Sequence, residues 1–468
     1  MKQKHIVRLL VASLSASLMM SCSESYPGIT YDETQGKGTI ENQDSWTEKT
    51  PIKVFVNEQD IFIVRANSTR GTGAFESTDT ANVNRINHST FYALAFRDGQ
   101  YTQSGIDDLK SPTDFRWWSH GHSNGPSSFS DYMVNNNCLL DGPDYNWGLP
   151  MYLIPDGAGL LHTARDMSQE TDEYYYSPVN QQVPYNFFAY YLDDIQPTKV
   201  NRTEESFSYD IEIDGSQDVM CGAAPNLIEE IRSGNLDNKW NFLSADEKRT
   251  IENIGGYCTF AANRGIHPEV KMKHVLTRMT FELYPADESA NDITITDIKV
   301  ESRCKGTLTV AARTIDEIGI TFTNERKQLP LCDPSDEKSP CPHLTPQSVD
   351  YDESMKGVEW YNRPKKTIGA SLIVAPDSIY NLYLTGIQKK RTSLIDTEKY
   401  ESVTFTARYT LTPPKTDLSK TDDGYWFAPG INYPVKIAVY GLQQIKVYAS
   451  VDGWIPSDEA IYLDDYTE

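Results

Sequence analysis

The chain has 468 residues, with 43 Lys and Arg against 66 Asp and Glu, and therefore a formal net charge of −23 at pH 7. This length allows two or three domains and excludes a single small one, and the acidity argues against nucleic acid as a partner. The hydrophobic content of 39% and the 28 Tyr residues indicate a folded protein rich in strands rather than a disordered chain.

The first 22 residues have the pattern of an export signal. A basic start precedes an apolar run over 6–20 that is too short to span a bilayer as a permanent helix. The run ends in Ser21-Cys22, which resembles the lipidation motif of bacterial lipoproteins; the alternative is that Cys22 merely follows an ordinary signal peptide. We expect residues 1–21 to be removed, Cys22 to carry an acyl chain such as palmitate, 22–50 to be a tether, and the protein to be held on the outer membrane at the cell surface.

Short runs of β-branched and aromatic residues bounded by turn residues follow the tether and are typical of strands. Four of them lie in the first half of the chain, at 52–56, 61–64, 91–96 and 187–191. Between residues 96 and 187 the chain is rich in Gly, Pro, Asn and Asp, which predicts long loops and short strands.

Two short helices and a second series of strands come next. One helix is predicted at 223–232, and a second begins with Ser244 and Glu247 at the spacing of a capping box and runs to about Ile254. Most later runs alternate with a period of two, as the strands of a sandwich do. They lie at 272–283, 292–302, 306–310, 367–374, 379–384, 402–411, 433–440 and 445–451.

The strand spacing predicts a mainly β fold with a few short helices. We expect two tandem antiparallel β-sandwich domains of Greek-key type, over 51–265 and 266–468. The segment 327–363 is dense in Pro and charge, and we expect it to be an irregular insertion in the second domain.

Six cysteines remain after Cys22, in a compartment where disulfides can persist. Cys332 and Cys341 flank a short turn-forming segment, and they are the one pair for which we predict a disulfide. Unpaired buried thiols account equally well for the others. No pair has C-x-x-C spacing, so nothing in the sequence points to a redox or zinc site.

Four segments of the chain resemble the fimbrillin family, the type V pilins and fimbrillin-like lipoproteins of anaerobic Gram-negative bacteria. The first is the early strand at 61–64 with the Thr69-Arg70 that follows it. The second is the aromatic strand at 187–191 together with the segment led by Asp218, and the third is the strand led by His274. The fourth is the closing hairpin from Trp426 to Trp454. These segments lie at 61–71, 187–224, 273–283 and 426–454.

The resemblance implies a transthyretin-like sandwich fold and a role as a structural or accessory subunit of a fimbrium that takes part in cell adhesion. It also implies assembly by donor-strand exchange, in which a protease cuts after an arginine and a strand of another fimbrial subunit replaces the one that is lost. Arg70 is the preferred processing site, because Gly71 follows it, and Arg65 is the second. The tail at 460–463 is a candidate donor strand, although it alternates poorly and acidic residues follow it.

The aromatic residues of the long loop region form a candidate contact surface. Exposed aromatic rings stack on sugars or anchor protein interfaces, and the alternative is that they cover the flank of the first sandwich. The residues are Trp117, Trp118, Trp147, Tyr132, Tyr145 and Tyr152. The alternative function is therefore a surface lipoprotein that does not polymerise and binds host glycan or protein through this loop.

Nothing in the sequence points to catalysis. It has no G-x-S-x-G, H-E-x-x-H or phosphate-binding glycine motif. His120 and His122 lack a fixed third ligand and are interpreted as part of a solvated loop, while His274 is interpreted as a structural histidine. We expect no enzyme activity, no cofactor and no metal.

Overall fold

Strands dominate the part of the chain that the structure describes. The computed structural model describes residues 29–32, 37–40, 50, 52–57, 91–97, 149–155, 160–164, 176, 182, 184–193, 195–202, 206–234, 236, 238–312, 315–332, 343–391, 400–421, 424–440, 446–449 and 452–453. The predicted fold class, mainly β of the sandwich type with few helices, is confirmed.

The elements are numbered in chain order. The strands are β1 (Ile29–Asp32), β2 (Lys37–Ile40), β3 (Phe55–Asn57), β4 (Phe91–Arg97), β5 (Leu149–Pro155), β6 (Leu160–Ala164), β7 (Tyr185–Tyr191), β8 (Lys199–Arg202), β9 (Ser206–Glu212), β10 (Met220–Ala223), β11 (Glu269–His274), β12 (Thr277–Pro285), β13 (Ile293–Arg303), β14 (Lys305–Ala312), β15 (Gly319–Phe322), β16 (Arg326–Pro330), β17 (Lys366–Val374), β18 (Tyr380–Arg391), β19 (Tyr400–Leu411), β20 (Lys420–Thr421), β21 (Gly424–Tyr425), β22 (Ile431–Val439), β23 (Lys446–Ala449) and β24 (Asp452–Gly453). The helices are α1 (Leu227–Ser233), α2 (Asn238–Phe242), α3 (Ala245–Ile254) and α4 (Thr259–Ala262).

The chain divides into two compact units, 1–49 and 50–468. In the first, β1 and β2 form an antiparallel hairpin. All the other elements belong to the second unit.

Seven strands of the second unit close into a barrel in the order β10-β11-β3-β6-β5-β4-β7. Its wall is apolar on both faces at β7, where six of the seven residues are buried. One face of β7 contributes Phe187 and Tyr191 to the barrel core, and the other contributes Phe188 and Tyr190 to a second apolar cluster outside the wall. A strand that is buried on both sides reads as a continuous apolar run, as 187–191 does.

A four-stranded sheet in the order β15-β14-β9-β8 packs on the outside of this wall. The buried hydroxyls of Tyr190 in the wall and Tyr209 in the sheet are hydrogen-bonded at 2.8 Å. The predicted strand at 306–310 belongs here, since β14 pairs with β9 rather than with the strands of the second sandwich. The alternation of apolar and polar residues predicted this strand, but it did not predict which strand lies beside it.

The second sandwich consists of the sheet β17-β12-β22-β23, in which β24 also pairs with β22, and the sheet β16-β13-β18-β19. The core between these two sheets includes Phe281, Ile298, Leu382 and Val435, all buried. Two parallel pairs, β3 with β11 and β12 with β22, interrupt the otherwise antiparallel pattern.

The predicted strand at 272–283 is two strands, β11 and β12, so the expectation of a single strand was wrong. The break falls at Val275 and Leu276, whose backbone groups bond to different neighbours. The amide of Val275 donates to the carbonyl of Val219 at 3.0 Å, and the carbonyl of Leu276 accepts from Gly430 at 2.8 Å. The chain therefore passes from the barrel to the second sandwich through two buried residues.

Both predicted helices are present, and the start of the first was placed too early. Ala223 still belongs to β10, and α1 begins only after Asn226, whose side chain accepts from the amide of Ile228 at 2.8 Å. The predicted capping box is confirmed, because the side chains of Ser244 and Glu247 each bond to the other's backbone amide.

The division into domains at residue 265 stays a prediction, although β11, which follows it, pairs with β10 and β3 before it. The predicted insertion at 327–363 differs at its start, since Arg326–Pro330 form β16 along β13. The described residues from 343 to β17 contain two short 3₁₀ turns, Glu353–Met355 and Trp360–Asn362, and one isolated antiparallel bridge between Gln347 and Ile295 of β13.

Candidate functional site

The short strand β3 lies between two neighbours in the barrel wall. It pairs in parallel with β11, Val56 opposite Val270, and antiparallel with β6, Val56 opposite Leu161. The amide of Phe55 also donates to the carbonyl of Pro268 at 2.9 Å. The barrel is therefore closed by this strand, the first of the 50–468 unit.

Every second side chain of this segment enters the barrel core. Ile52, Val54 and Val56 are 2%, 0% and 1% exposed, whereas Lys53 and Phe55 are half-buried. The three buried side chains belong to one cluster with Phe91, Phe187, Tyr191, Met220, Val270 and Met272. We call the space that Ile52, Val54 and Val56 occupy in the barrel core the first-strand slot.

A polar anchor fixes the entry of this segment. The hydroxyl of Thr50 donates to Oδ1 of Asn263 at 2.9 Å, and its carbonyl accepts from the amide of Tyr176 at 2.9 Å. Tyr176 is 1% exposed and meets Tyr185 and Phe187 edge to face. Burial, the largest effect, raises the pKa of Tyr176 well above its ordinary value, so the ring stays neutral.

Three of the four described helices contribute buried side chains to the barrel core. Leu227 of α1, Ile251 and Ile254 of α3, and Cys258 and Ala261 at α4 are buried in it. Arg264 connects α3 to α4. It donates through Nε to Oε1 of Glu247 at 3.0 Å and through Nη1 to the carbonyl of Phe260 at 3.0 Å. Its guanidinium also lies 3.5 Å from the centre of the Phe260 ring.

Close backbone contact at the slot requires glycine in β10. A Cβ atom on Gly222 would lie 2.1 Å from the carbonyl oxygen of Lys271 in β11. Such an approach is impossible without moving a strand. Gly222 therefore allows β10 to lie close to β11, the strand that pairs with β3 on its other side.

Both predicted processing residues, Arg65 and Arg70, lie outside the described residues, as does the lipidation residue Cys22. Their place in the chain is nevertheless informative, because both arginines follow β3 and precede β4 at Phe91–Arg97. A cut after either one separates β3 from every other strand of the barrel. The candidate donor segment 460–463 also lies outside the described residues.

Most of the predicted contact surface lies outside the described residues as well. Tyr152 is the exception: it belongs to β5, where its backbone pairs with Ala164 of β6. Outside the described residues are Trp117, Trp118, Trp147, Tyr132 and Tyr145.

The cysteines divide into two groups. Cys221, Cys258 and Cys304 are buried and not disulfide-bonded, so for these three the interpretation as buried thiols holds. Cys332 is disulfide-bonded. Because Cys341 lies outside the described residues, the pairing of Cys332 with Cys341 stays a prediction.

His274 has a buried carboxylate as its partner. Its Nδ1 lies 3.0 Å from Oδ2 of Asp218, which is fully buried at the start of β10. The amide of Asp218 in turn donates to Oδ2 of Asp193 at 3.2 Å, and Oδ1 of Asp193 accepts from Tyr191 at 3.0 Å. The interpretation of His274 as a structural histidine fits this arrangement; its partner, far away in sequence, was not foreseen.

The described residues offer neither a metal-binding cluster nor a membrane-spanning helix. Among them, no group of three or more His, Cys, Asp or Glu is placed to hold a metal ion. No described helix has the length and apolar character needed to cross a membrane.

No family model and no curated protein sequence matches the chain. Among solved structures, a proposed cell adhesion protein from Bacteroides ovatus is similar at 11% identity and a TM-score of 0.37, covering 88% of this chain and 100% of the other. One from Parabacteroides distasonis is similar at 9% identity and a TM-score of 0.34, with coverage of 88% and 100%. The fimbrial anchor protein Mfa2 from Porphyromonas gingivalis is similar at 9% identity and a TM-score of 0.27, with coverage of 86% and 98%. Their names are consistent with the fimbrillin resemblance, but likenesses this distant carry no argument about what this chain does.

Proposed function

We propose that the chain is a fimbrillin-like subunit, structural or accessory, of a surface fimbrium that takes part in cell adhesion. It is exported, held on the outer membrane by an acyl chain on Cys22, and assembled with other fimbrial subunits by protease-triggered strand exchange. The observation that carries the proposal is that Ile52, Val54 and Val56 fill part of the barrel core, and that this segment, which runs into β3, precedes both Arg65 and Arg70 in the chain.

The energetics of β3 support a need for a replacement strand. Burial of one Val or Ile side chain contributes about 1.5–3 kcal/mol, so the loss of Ile52, Val54 and Val56 removes on the order of 5–9 kcal/mol of burial. A folded domain is stable by only about 5–15 kcal/mol. A barrel without this segment therefore loses a large part of its stability, and it regains free energy from any strand that fills the slot.

The geometry of the slot defines the strand that fits it. The strand has to run parallel to β11 and antiparallel to β6, as β3 does. It needs apolar side chains at three alternate positions to replace Ile52, Val54 and Val56, while the positions between them face outward. The chain's own tail at 460–463 offers two alternate apolar positions on each face, which makes it a poorer match than β3.

The experiment compares processing and assembly in four exported full-length chains: wild type, Arg65→Ala, Arg70→Ala and the double variant. Each is treated with a trypsin-like protease, separated by size, and analysed by N-terminal sequencing and mass. We expect wild-type polymers to contain chains that begin at Gly71 or Ala66, and the double variant to form no such polymers. Arg249→Ala, which removes an exposed arginine of α3, is the matched control and should behave like the wild type.

Polymers built from chains that still begin at acylated Cys22 would contradict the strand-exchange mechanism. A monomer that keeps Cys22, never polymerises and binds host glycan or protein would instead support the alternative function, a surface lipoprotein that acts through its aromatic loop.

A further inference from the structure

The outer edge of β19 is open among the described strands. β19 (Tyr400–Leu411) is the last strand in the order β16-β13-β18-β19 and pairs along its whole length with β18. On its other side no described strand pairs with it. An edge of twelve residues is long, and natural proteins usually protect such edges with lysines, proline, a bulge or a covering segment.

The central part of β19 has no lysine, no proline and no bulge, and no described strand covers its outer side. The six residues from Ser402 to Ala407 carry no charge and no proline, and the pairing with β18 runs without a register shift. Its N–H and C=O groups on the outer side are therefore presented in a regular row. A row of this kind is a template for another strand.

The inner face of β19 is apolar and incompletely covered. Val403, Phe405, Ala407 and Tyr409 alternate along the strand and are half-buried, whereas the residues between them are exposed. Phe405 and Tyr409 pack against the core of the second sandwich. The Phe405 ring lies over Gly386 of β18, where a Cβ atom would come within 2.6 Å of its Cζ. These four side chains are therefore held against the second sandwich, and part of their apolar surface stays exposed beside the outer edge of β19.

The outer face is polar and is ordered by cross-strand pairs. The hydroxyl of Thr406 lies 3.1 Å from that of Thr385 in β18. The guanidinium of Arg408 lies 5.8 Å from the centre of the Tyr383 ring, and the Tyr383 hydroxyl donates to Glu301 at 2.7 Å. Paired threonines and a cation over an aromatic ring both stabilise neighbouring strands.

We propose that this edge pairs with the same edge of a second copy of the chain, so that two second sandwiches share one continuous sheet. The sequence of β19 is compatible with itself in antiparallel two-fold pairing. With the axis at Thr406, Thr404 faces Arg408 and Ser402 faces Thr410; with the axis at Phe405, Thr404 faces Thr406. In neither register does a charge face a like charge, and the apolar row of one copy extends that of the other.

This contact is independent of the first-strand slot, since β19 and β3 belong to different sheets. It requires no cleavage and no donor strand. The uncleaved chain dimerises by itself, and failure of the strand-exchange proposal would leave this one untouched.

The test uses the full-length chain with Cys22→Ser, which removes the acyl group, and measures its mass by analytical ultracentrifugation over a range of concentrations. We expect a dimer. The double variant Thr404→Lys and Thr406→Lys places like charges opposite one another in both registers, and it should weaken dimerisation by at least about tenfold. The charge-matched control, Thr321→Lys with Thr367→Lys at exposed positions of β15 and β17, should dimerise normally.

A second measurement reports the register directly. A cysteine on the two-fold axis faces its own copy at a Cα distance of about 4.5–5.5 Å, within the range of a disulfide. Thr406→Cys should therefore form a covalent dimer on oxidation when the axis is at Thr406. The double variant Thr404→Cys with Thr406→Cys should do so in either register, while Thr321→Cys should not.

Three results would overturn the proposal: a monomer at every concentration, a dimer that tolerates the two lysines in β19, or a failure of the double variant Thr404→Cys with Thr406→Cys to cross-link. The tail is tested by Ile461→Lys with Leu463→Lys. If the chain dimerises only with these tail substitutions, the tail occupies the edge in the intact protein, and the second-copy proposal is wrong.

Discussion

Nδ1 of His274 lies 3.0 Å from Oδ2 and 3.1 Å from Oδ1 of Asp218, a residue 56 positions earlier in the chain. The two side chains connect the end of β11 to the start of β10, and the Asp218 carboxylate is completely buried. A buried carboxylate without a partner is strongly destabilising, whereas a paired one fixes the register of the strands it joins.

Asp218→Ala should lower the free energy of unfolding by about 3 kcal/mol, because it removes the partner of a buried imidazole. Adding His274→Ala should cost little more, since the two residues act as one unit. Chemical denaturation of both single variants and the double variant measures the coupling. Losses that simply add would show that the pair does not interact as the distances indicate.

Ile52→Ala should destabilise the barrel by about 2–5 kcal/mol, the usual cost of removing a large aliphatic side chain from a core. The neighbouring Lys53→Ala is the matched control, and it should change stability by less than about 1 kcal/mol. Thermal and chemical unfolding of the uncleaved chain provide the measurement. Equal effects at the two positions would mean that this segment does not occupy the slot with alternate side chains.

Gly222→Ala should destabilise the chain by about 1–3 kcal/mol or more, because the added methyl meets the backbone of β11 rather than a flexible side chain. Gly234→Ala is a useful comparison, since it faces open space and its cost comes only from a φ of +72°. The chain with Gly222→Ala should therefore unfold at the lower denaturant concentration. The reverse order would refute the close approach of β10 and β11.

The thiols of the native chain should resist alkylation at pH 8. Burial, the largest effect, raises the pKa of Cys221 to about 12 and that of Cys258 to about 11, so only about one Cys258 thiol in a thousand is ionised at that pH. Maleimide labelling read by mass spectrometry should modify Cys258 rapidly only after β3 has been cut away and the slot is empty. Cys304, which lies in the apolar cluster outside the barrel wall, serves as an internal control and should remain protected.

The capping box should add stability that disappears in acid. Burial tends to raise the pKa of Glu247, but hydrogen bonds from Ser244 and Arg264 outweigh it and hold the pKa below the ordinary 4.5. A depressed carboxylate pKa stabilises the fold above the unfolded value and loses that effect as the pH falls through the folded one. Glu247→Gln should therefore cost about 1 kcal/mol at pH 7 and progressively less below about pH 4.5. A difference in stability between Glu247→Gln and the wild type that does not change with pH would argue against an ionised Glu247 in the capping box.

Local signals could be read from the sequence, whereas pairings between distant segments could not. The Ser244 capping box and the edges of β4 and β7 follow from a few neighbouring residues, and all were predicted within two residues of their positions. Alternation tells which side of a strand is apolar, but not which strand lies beside it. For that reason β14 was assigned to the wrong sheet, and the break at Val275 and Leu276 was missed.

At the candidate site, too, the pairing of distant segments could not be predicted from the sequence. The alternation of Ile52, Val54 and Val56 predicted a strand at 52–56, whereas the structure has only Phe55–Asn57 as a strand. Nothing local indicated that β3 pairs in parallel with β11, more than two hundred residues later. Asp218 and His274 were each singled out from separate segments, and only the fold shows that they meet. The partner of a buried polar group is set by strand register, which a single sequence does not encode in any short window.

The two-residue passage through Val275 and Leu276 also has a mechanical consequence. Tension applied along the chain at the barrel reaches the second sandwich through β11 and β12 with no slack loop between them. The load is taken up at once by the backbone bonds to Val219 and Gly430 and by the parallel ladder of β12 and β22. These strands share the pull along their length, so the bonds between them must fail together rather than one after another. Under force the described strands of the barrel and of the second sandwich should therefore unfold together, with a single rupture event in a pulling experiment.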